Sequence, residues 1–221
     1  MKQLTFAQRP RKDGKSRKKP GRKPGPRRGV PHAKRPRHSR WNPLHITMRA
    51  VQGLPSFRQQ ILYLAFLKAI RTTRREDFRI VEFSVQTNHV HLVVEAENND
   101  ALSRGMKSFA VRANRLFNVA SGRRRGRVWS GRYHRSDLKT PCQVRNALVY
   151  VLNNGRKHGV VSSTGLVIDA GSSAAWFGGW TIPRVIREGP RPTERARTVL
   201  LDRLWLKHGK IHPSEMPAAR G

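Results

Sequence analysis

Residues 88–95 read Asn88-His89-Val90-His91-Leu92-Val93-Val94-Glu95. Strand side chains alternate between faces, so His89 and His91 share one face while Val90, Leu92 and Val94 share the other. The preceding stretch, Phe78 to Val85, is also rich in strand formers, and Gln86-Thr87-Asn88 is short enough to turn one strand into the next. A hairpin is predicted, apolar on one side and carrying two imidazoles on the other. Upstream, Leu44, Ile46, Met48 and Ala50 alternate with His45, Thr47 and Arg49, which reads as a strand of the same kind.

The intervening segments have helical spacing. Pro55 and Ser56 open a helix through about Thr73, with Phe57, Ile61, Leu64, Ala65 and Leu67 as its apolar stripe. Asp100 reads as the cap of a second helix running to about Val119 and ended by Ser121-Gly122. Val128 to Tyr133 reads as a fourth strand. Thr140 and Pro141 start a third helix that reaches Asn154, where Gly155 is expected to stop it. The order β-α-β-β-α-β followed by a helix predicts an α+β fold. It is a ferredoxin-like split βαβ antiparallel sheet with helices on one face.

Charge divides the chain of 221 residues unevenly. Its net charge is +33, and sixteen Lys and Arg against one acid, Asp13, place +15 of that in the first forty residues. No Leu, Ile, Phe or Trp occurs between Arg9 and Arg40, so residues 1–40 are expected to be a disordered basic arm that grips phosphates. The rest is basic too, with 30 Lys and Arg against 12 acids, so the default partner is a polyanion. A lone cysteine, Cys142, excludes an internal disulfide framework and a multi-cysteine zinc site. The longest apolar run, Ile61 to Leu67, is too short to cross a bilayer, and no secretory h-region is seen at the N-terminus. The expected organisation is a folded domain over 41–160, a Gly/Ser-rich linker over 161–190 and a helical tail over 191–221. The tail's helix is expected from Thr193 to Gly209, with Val199, Leu200, Leu204 and Trp205 as its apolar side.

Two constellations carry chemistry. Two imidazoles side by side on a sheet face can bind one divalent metal; a pair of solvated histidines with no ligand is the alternative reading. In the helix over 143–154, Val144, Ala147, Leu148, Val151 and Leu152 form one stripe, and Tyr150 points roughly 130° away from its centre. Asn154, four residues on, lies on the same flank as Tyr150. That places a phenol and a carboxamide to meet the sheet, unless Tyr150 merely lies over apolar neighbours at the surface.

Together these residues resemble a single-tyrosine HUH transposase, the family that includes the REP-associated tyrosine transposases and insertion-sequence transposases. The match rests on His89-Val90-His91, on Tyr150 to Asn154, and on Val128-Trp129-Ser130-Gly131-Arg132-Tyr133, which resembles a tryptophan-containing strand of such proteins. It covers about Leu44 to Gly159. Relatives often end the tyrosine motif in Asn-Pro, whereas Gly155 follows Asn154 here, and Asn153 is the alternative carboxamide.

The resemblance implies a single-strand DNA endonuclease and strand transferase acting at hairpin or repeat DNA. Tyr150 would be the nucleophile and form a 5′-phosphotyrosine, and His89, His91 and Asn154 would hold Mg²⁺ or Mn²⁺. It further implies a mobile-element enzyme in the bacterial cytoplasm, at the nucleoid, with a homodimer expected by analogy. Tyr63, amid Ile61-Leu62-Leu64, and Tyr133, on a strand, are weaker nucleophiles. Arg49, Arg123, Arg124, Arg125, Arg127 and Arg132 are candidate DNA contacts, as are Arg71, Arg74 and Arg75. His45 and Thr47 share the polar face of the first strand and can line the same groove, while His134 and His158 read as surface residues. The alternative is a non-catalytic, domesticated nucleic-acid-binding protein on the same fold. An RNA-recognition-like domain ranks lower because His89 and His91 stand where that fold carries stacking aromatics.

Overall fold

A computed structural model of the chain describes residues 36–157, 159, 167–182 and 189–216. The basic arm lies outside these except for 36–40, as does His158. Four strands form one sheet: β1 (Leu44–Arg49), β2 (Phe78–Val85), β3 (His89–Ala96) and β4 (His134–Asp137). Their order is β2-β3-β1-β4 with every neighbouring pair antiparallel, the ferredoxin-like arrangement.

Leu44, Ile46, Met48, Val90, Leu92 and Val94 turn to one face, where α1 (Gln60–Thr72) and α2 (Asn99–Ala120) cover them. Phe57, Phe66, Phe117 and Trp129 fill that layer with ring centroids 4.7–5.9 Å apart between neighbours. Ile80 pairs with Val94 and Glu82 with Val93, so β2 carries one extra residue, a β-bulge. The bulge lets Ile80 and Phe83 both join the helical layer and leaves Glu82 beside Val81 on the other face, opposite Val93. The other face is not open. There α3 (Pro141–Leu152) lays Val144, Ala147, Leu148, Val151 and Leu152 against Val81 and Val93.

Gly105 on α2 stands against the ring of Phe78, where a Cβ would come within 2.2 Å of Cγ. Gly105→Ala should therefore cost about 1–3 kcal/mol by overpacking, despite alanine's better helix propensity. A urea titration reads this directly, and an unchanged midpoint would mean that Phe78 can move aside.

Several boundaries differ from those the sequence suggests. The fourth strand is His134–Asp137, not Val128 to Tyr133. Trp129 is drawn into the helical layer, its indole donating to Ala110 O, so only an isolated Ala50–Trp129 bridge forms before the chain bends at 131–132. Helix α1 starts at Gln60 rather than at Pro55-Ser56 because the Phe57 amide is committed to Thr87 O. Asn98, not Asp100, caps α2, its side chain accepting from the Asp100 and Ala101 amides. Thr140 caps α3 as expected, but that helix stops at Leu152, and Asn154 opens a short α4 (Asn154–Lys157).

The Gly/Ser-rich segment is also not a free linker where it is described. Ser173 Oγ accepts from the Phe83 amide, Ser172 bridges Ser84 on the edge of β2, and buried Asp169 takes a two-pronged ion pair from Arg58. Its small residues are what allow close approach to the strand edge. The expected continuous helix from Thr193 is two short pieces, α5 (Val199–Asp202) and a 3-10 turn over Leu204–His208, ended by Gly209 at φ 82°. The chain before α5 is held extended because Glu95 accepts from the Arg197 and Thr198 amides.

His38, in the part of the basic arm that is described, is buried rather than loose, and its Nε2 donates to Ala96 O at 2.8 Å. Burial pushes its pKa below the ordinary histidine value, and Arg135 adds to this against the opposing Ala96 bond. The unfolded chain then binds the proton more readily, so stability falls as pH drops below about 6.5. Unfolding midpoints measured at pH 7 and 5.5 should differ less in His38→Gln than in the parent.

Candidate active site

The face covered by α3 carries His45, Thr47 and Arg49 from β1 opposite Val93, His91 and His89 from β3, in register pair by pair. His91 is buried, with Nδ1 lying 3.1 Å from Thr47 Oγ1 and 3.2 Å from His45 Nε2. His89 is half-buried; Asn88 Oδ1 lies 2.8 Å from its Nδ1 and accepts, so that nitrogen carries the proton. Both Nδ1 atoms are thus engaged by neighbours. A cation would be taken through Nε2 in each case, the arrangement that fixes tautomer and ring orientation at metal-binding histidines. The two rings are 4.8 Å apart.

Tyr150 comes down from α3 onto this pair. Its ring is 5.0 Å from that of His91 and 5.5 Å from that of His45, edge-on to both. Lys157 Nζ lies 5.0 Å from the centre of the phenol ring. Asn154, one turn further, is fully buried, and neither atom of its amide makes a hydrogen bond. Asn153 is no substitute: its Nδ2 donates to Glu215 O at 2.9 Å and to His212 O at 3.3 Å. The C-terminal segment also takes Arg145, which pairs two-pronged with Glu215 and reaches Gly209 O, and Arg156, which donates to Pro213 O.

No group of three His, Cys, Asp or Glu side chains is arranged for a metal among the described residues. The donor set available here is two imidazoles and a carboxamide. A fully buried amide left without hydrogen bonds costs free energy unless something else satisfies it. That observation fits a cation ligand at Asn154.

Among the candidate DNA contacts, Arg49 is exposed and stands beside His89 on the neighbouring strand. The Ser130 amide donates to Arg49 O, which brings the segment 123–132 to the His89 end of the site. Arg124, Arg125 and Arg132 are exposed on it. Arg127 is engaged, donating to Trp129 O and Ser130 O, and holds the loop's shape. Arg123 is half-buried against Gly126. The Asn88 and Lys157 contacts were not foreseen. Asn88 could have been found, since a carboxamide next to a ligand histidine is a natural partner for its second nitrogen.

The sequence profile of the IS200-like transposases matches residues 45–154, from the first histidine of this site to its buried asparagine. The chain belongs to the IS200-like transposases. Among solved structures, a REP-associated tyrosine transposase bound to a REP hairpin is similar in fold. The TM-score is 0.51 at 18% identity, over 76% of this chain and 99% of that one. No curated protein sequence matches significantly. This transposase is therefore a DNA-binding protein of transposition, and membership implies DNA cleavage and strand transfer as its class of reaction. No helix among the described residues of the transposase is long and apolar enough to cross a membrane.

Proposed function

We propose that this protein cleaves and rejoins single-stranded DNA beside a hairpin, with Tyr150 as nucleophile. The observation that carries the reading is the placement of the Tyr150 ring 5.0 Å from His91, itself paired with His89. The phenol oxygen attacks the scissile phosphorus and loses its proton. The bond to the 3′ oxygen breaks, and that oxygen leaves as a free 3′-hydroxyl. The product is a 5′-phosphotyrosine that keeps the phosphodiester energy, so a second 3′-hydroxyl can reverse the step on a new strand without ATP.

His89, His91 and Asn154 are the residues that would hold Mg²⁺ or Mn²⁺. When bound, such a cation withdraws charge from the non-bridging phosphate oxygens. Imidazole ligands favour Mn²⁺ over the harder Mg²⁺. Thr47, His45 and Asn88 keep the two imidazoles oriented, and Lys157 places positive charge beside the nucleophile. Arg49, Arg124, Arg125 and Arg132 hold the strand's phosphates at the His89 end, while the basic arm over 1–40 adds affinity without sequence preference. The likeness to a hairpin-bound transposase supports hairpin DNA as the substrate. We place the protein at the bacterial nucleoid, working as a homodimer.

The test is incubation of the full chain with a pool of single-stranded hairpin oligonucleotides and Mn²⁺. A covalent protein–DNA adduct resistant to denaturant is the expected result. Binding without adduct would leave the non-catalytic reading.

A further inference from the structure

The described end of the basic arm meets β1 through a junction that is tied down on both sides. Asn99 Nδ2 donates to Pro36 O, buried His38 donates to Ala96 O, and Pro43 O accepts from the Leu138 amide. Between these anchors a turn closes, the Asn42 amide donating to Ser39 O. Trp41 rides on that turn. It is 62% exposed, the one aromatic among the exposed large apolar residues described. Isolated apolar side chains at a surface are ordinary, but this indole is held out by fixed backbone on either side. Arg40 lies over it, with Cζ 4.5 Å from the ring centre, and makes no ion pair among the described residues.

We infer that Trp41 and Arg40 form a stacking platform for one base of single-stranded DNA, away from the reacting phosphate. Both line a cavity of about 230 Å³ that the proposed strand-transfer chemistry does not use. Three arginines, Arg40 among them, and four acids line it, so the two signs nearly cancel. Walls balanced in this way draw in neither a phosphate nor a cation, yet they offer hydrogen-bond donors and acceptors. They suit a flat, uncharged heterocycle. Every base offers a face to an indole, and an arginine beside the ring strengthens the stack. The arm that ends at Arg40 carries sixteen Lys and Arg against one acid, which supplies the charge that draws a strand to this end of the fold.

The placement says what the platform is for. Side chains alternate along β3, so Glu95 at the cavity shares a face with His91, four residues and about 13 Å along the strand. Leu138, tied to Pro43 O, stands three residues before α3 begins, and Tyr150 lies in the last turn of that helix. A strand lying along α3, about 18 Å, therefore reaches from Trp41 to the nucleophile. The base held by Trp41 anchors the DNA at a distance from the phosphate that reacts. Arg40 and Trp41 both precede the stretch matched by the IS200-like profile, so the platform lies outside what that profile describes. It rests on the reading of the protein as a single-strand DNA enzyme.

The full chain in EDTA, which prevents cleavage, is titrated with a fluorescent thymidine dodecamer and with an abasic dodecamer of the same backbone. The parent should bind the thymidine strand tighter, since only that strand has bases to stack. Trp41→Ala should weaken thymidine-strand binding by about five- to tenfold, the lower part of what one stacked base is worth, and leave the abasic strand within about twofold. Trp41→Phe should keep part of the preference. Trp41 is exposed on a turn, so neither change reaches the core. The slope of affinity against salt should hold in Trp41→Ala and fall in Arg40→Gln, because only the arginine neutralises a phosphate. Equal binding of the two strands by the parent, or a Trp41→Ala protein that binds both as the parent does or weakens on both alike, overturns the proposal. So does tighter thymidine-strand binding by Trp41→Ala, which would mean that the indole holds a lysine or arginine of its own arm. Adduct formation with Mn²⁺ on hairpin oligonucleotides is scored separately: a base-dependent loss without adduct sinks the nuclease reading and keeps the platform, and the reverse keeps the nuclease and removes the platform.

Discussion

Tyr150→Phe should lose the covalent DNA adduct outright, with any cleavage falling by roughly 10³-fold or more, as expected when a nucleophile is deleted. The substitution removes one oxygen and leaves the ring that packs edge-on against His91 and His45, so the fold and the site's shape should survive. DNA affinity should change by less than about threefold, because the phosphate contacts assigned to Arg49 and the 123–132 segment are untouched. The other two described tyrosines do not stand in for it. Tyr63 and Tyr133 both pack against the core formed with α1 and α2, on the far side of the sheet from His91. An adduct that persists in Tyr150→Phe, mapped by peptide mass to either of them, would defeat the assignment. Loss of both adduct and DNA binding would instead show that the substitution damaged the fold, which circular dichroism on the same sample detects.

A second large effect is expected at Asn154, and it has two opposite signs. The side chain is fully buried with an amide that hydrogen-bonds to nothing described, so in the free protein it destabilises by about 1–3 kcal/mol relative to an apolar group of similar shape. Asn154→Leu should therefore raise the melting temperature by a few degrees in the absence of divalent ions. The same change should weaken Mn²⁺ binding by at least 10-fold and cut adduct formation with it. Mn²⁺ binding is read by the loss of the free-ion EPR signal, which needs no DNA and no turnover. A melting temperature that falls, with Mn²⁺ affinity unchanged, would make Asn154 a structural residue and remove it from the site. Thr47→Val is a useful companion because it deletes only the hydroxyl beside His91 Nδ1 and should weaken Mn²⁺ binding less than Asn154→Leu does.

Much of this was legible from alternation alone. Leu44 to Arg49 and His89 to Glu95 sort cleanly into apolar and polar faces, and the sorted faces are those the sheet presents to its two layers. The placement of Tyr150 followed from helical geometry, since a residue far from the apolar stripe of α3 but close to the sheet has few places to go. Trp129 misled because strand propensity reports a side chain's taste for burial, and here a helical layer satisfied it instead of a ladder. The small residues at 171–173 misled for a related reason. Composition marks them as poor in core-forming bulk, yet small size is what lets a backbone lie against the edge of β2. Glu82 could not have been read at all, because a bulge of one residue reversed the face that simple alternation assigns along β2.

The clamp on α3 ties the placement of Tyr150 to a segment far from it in sequence. Arg145, Asn153 and Arg156 bracket Tyr150, and each is held by residues between Gly209 and Glu215. A chain that runs only through Asn154 contains every residue of the IS200-like stretch, but its α3 is missing these anchors. Those anchors lie well beyond that stretch, in residues 209–215. A chain cut short after Asn154 would thus keep Tyr150, His89 and His91 and lose the contacts that hold α3 at its far end.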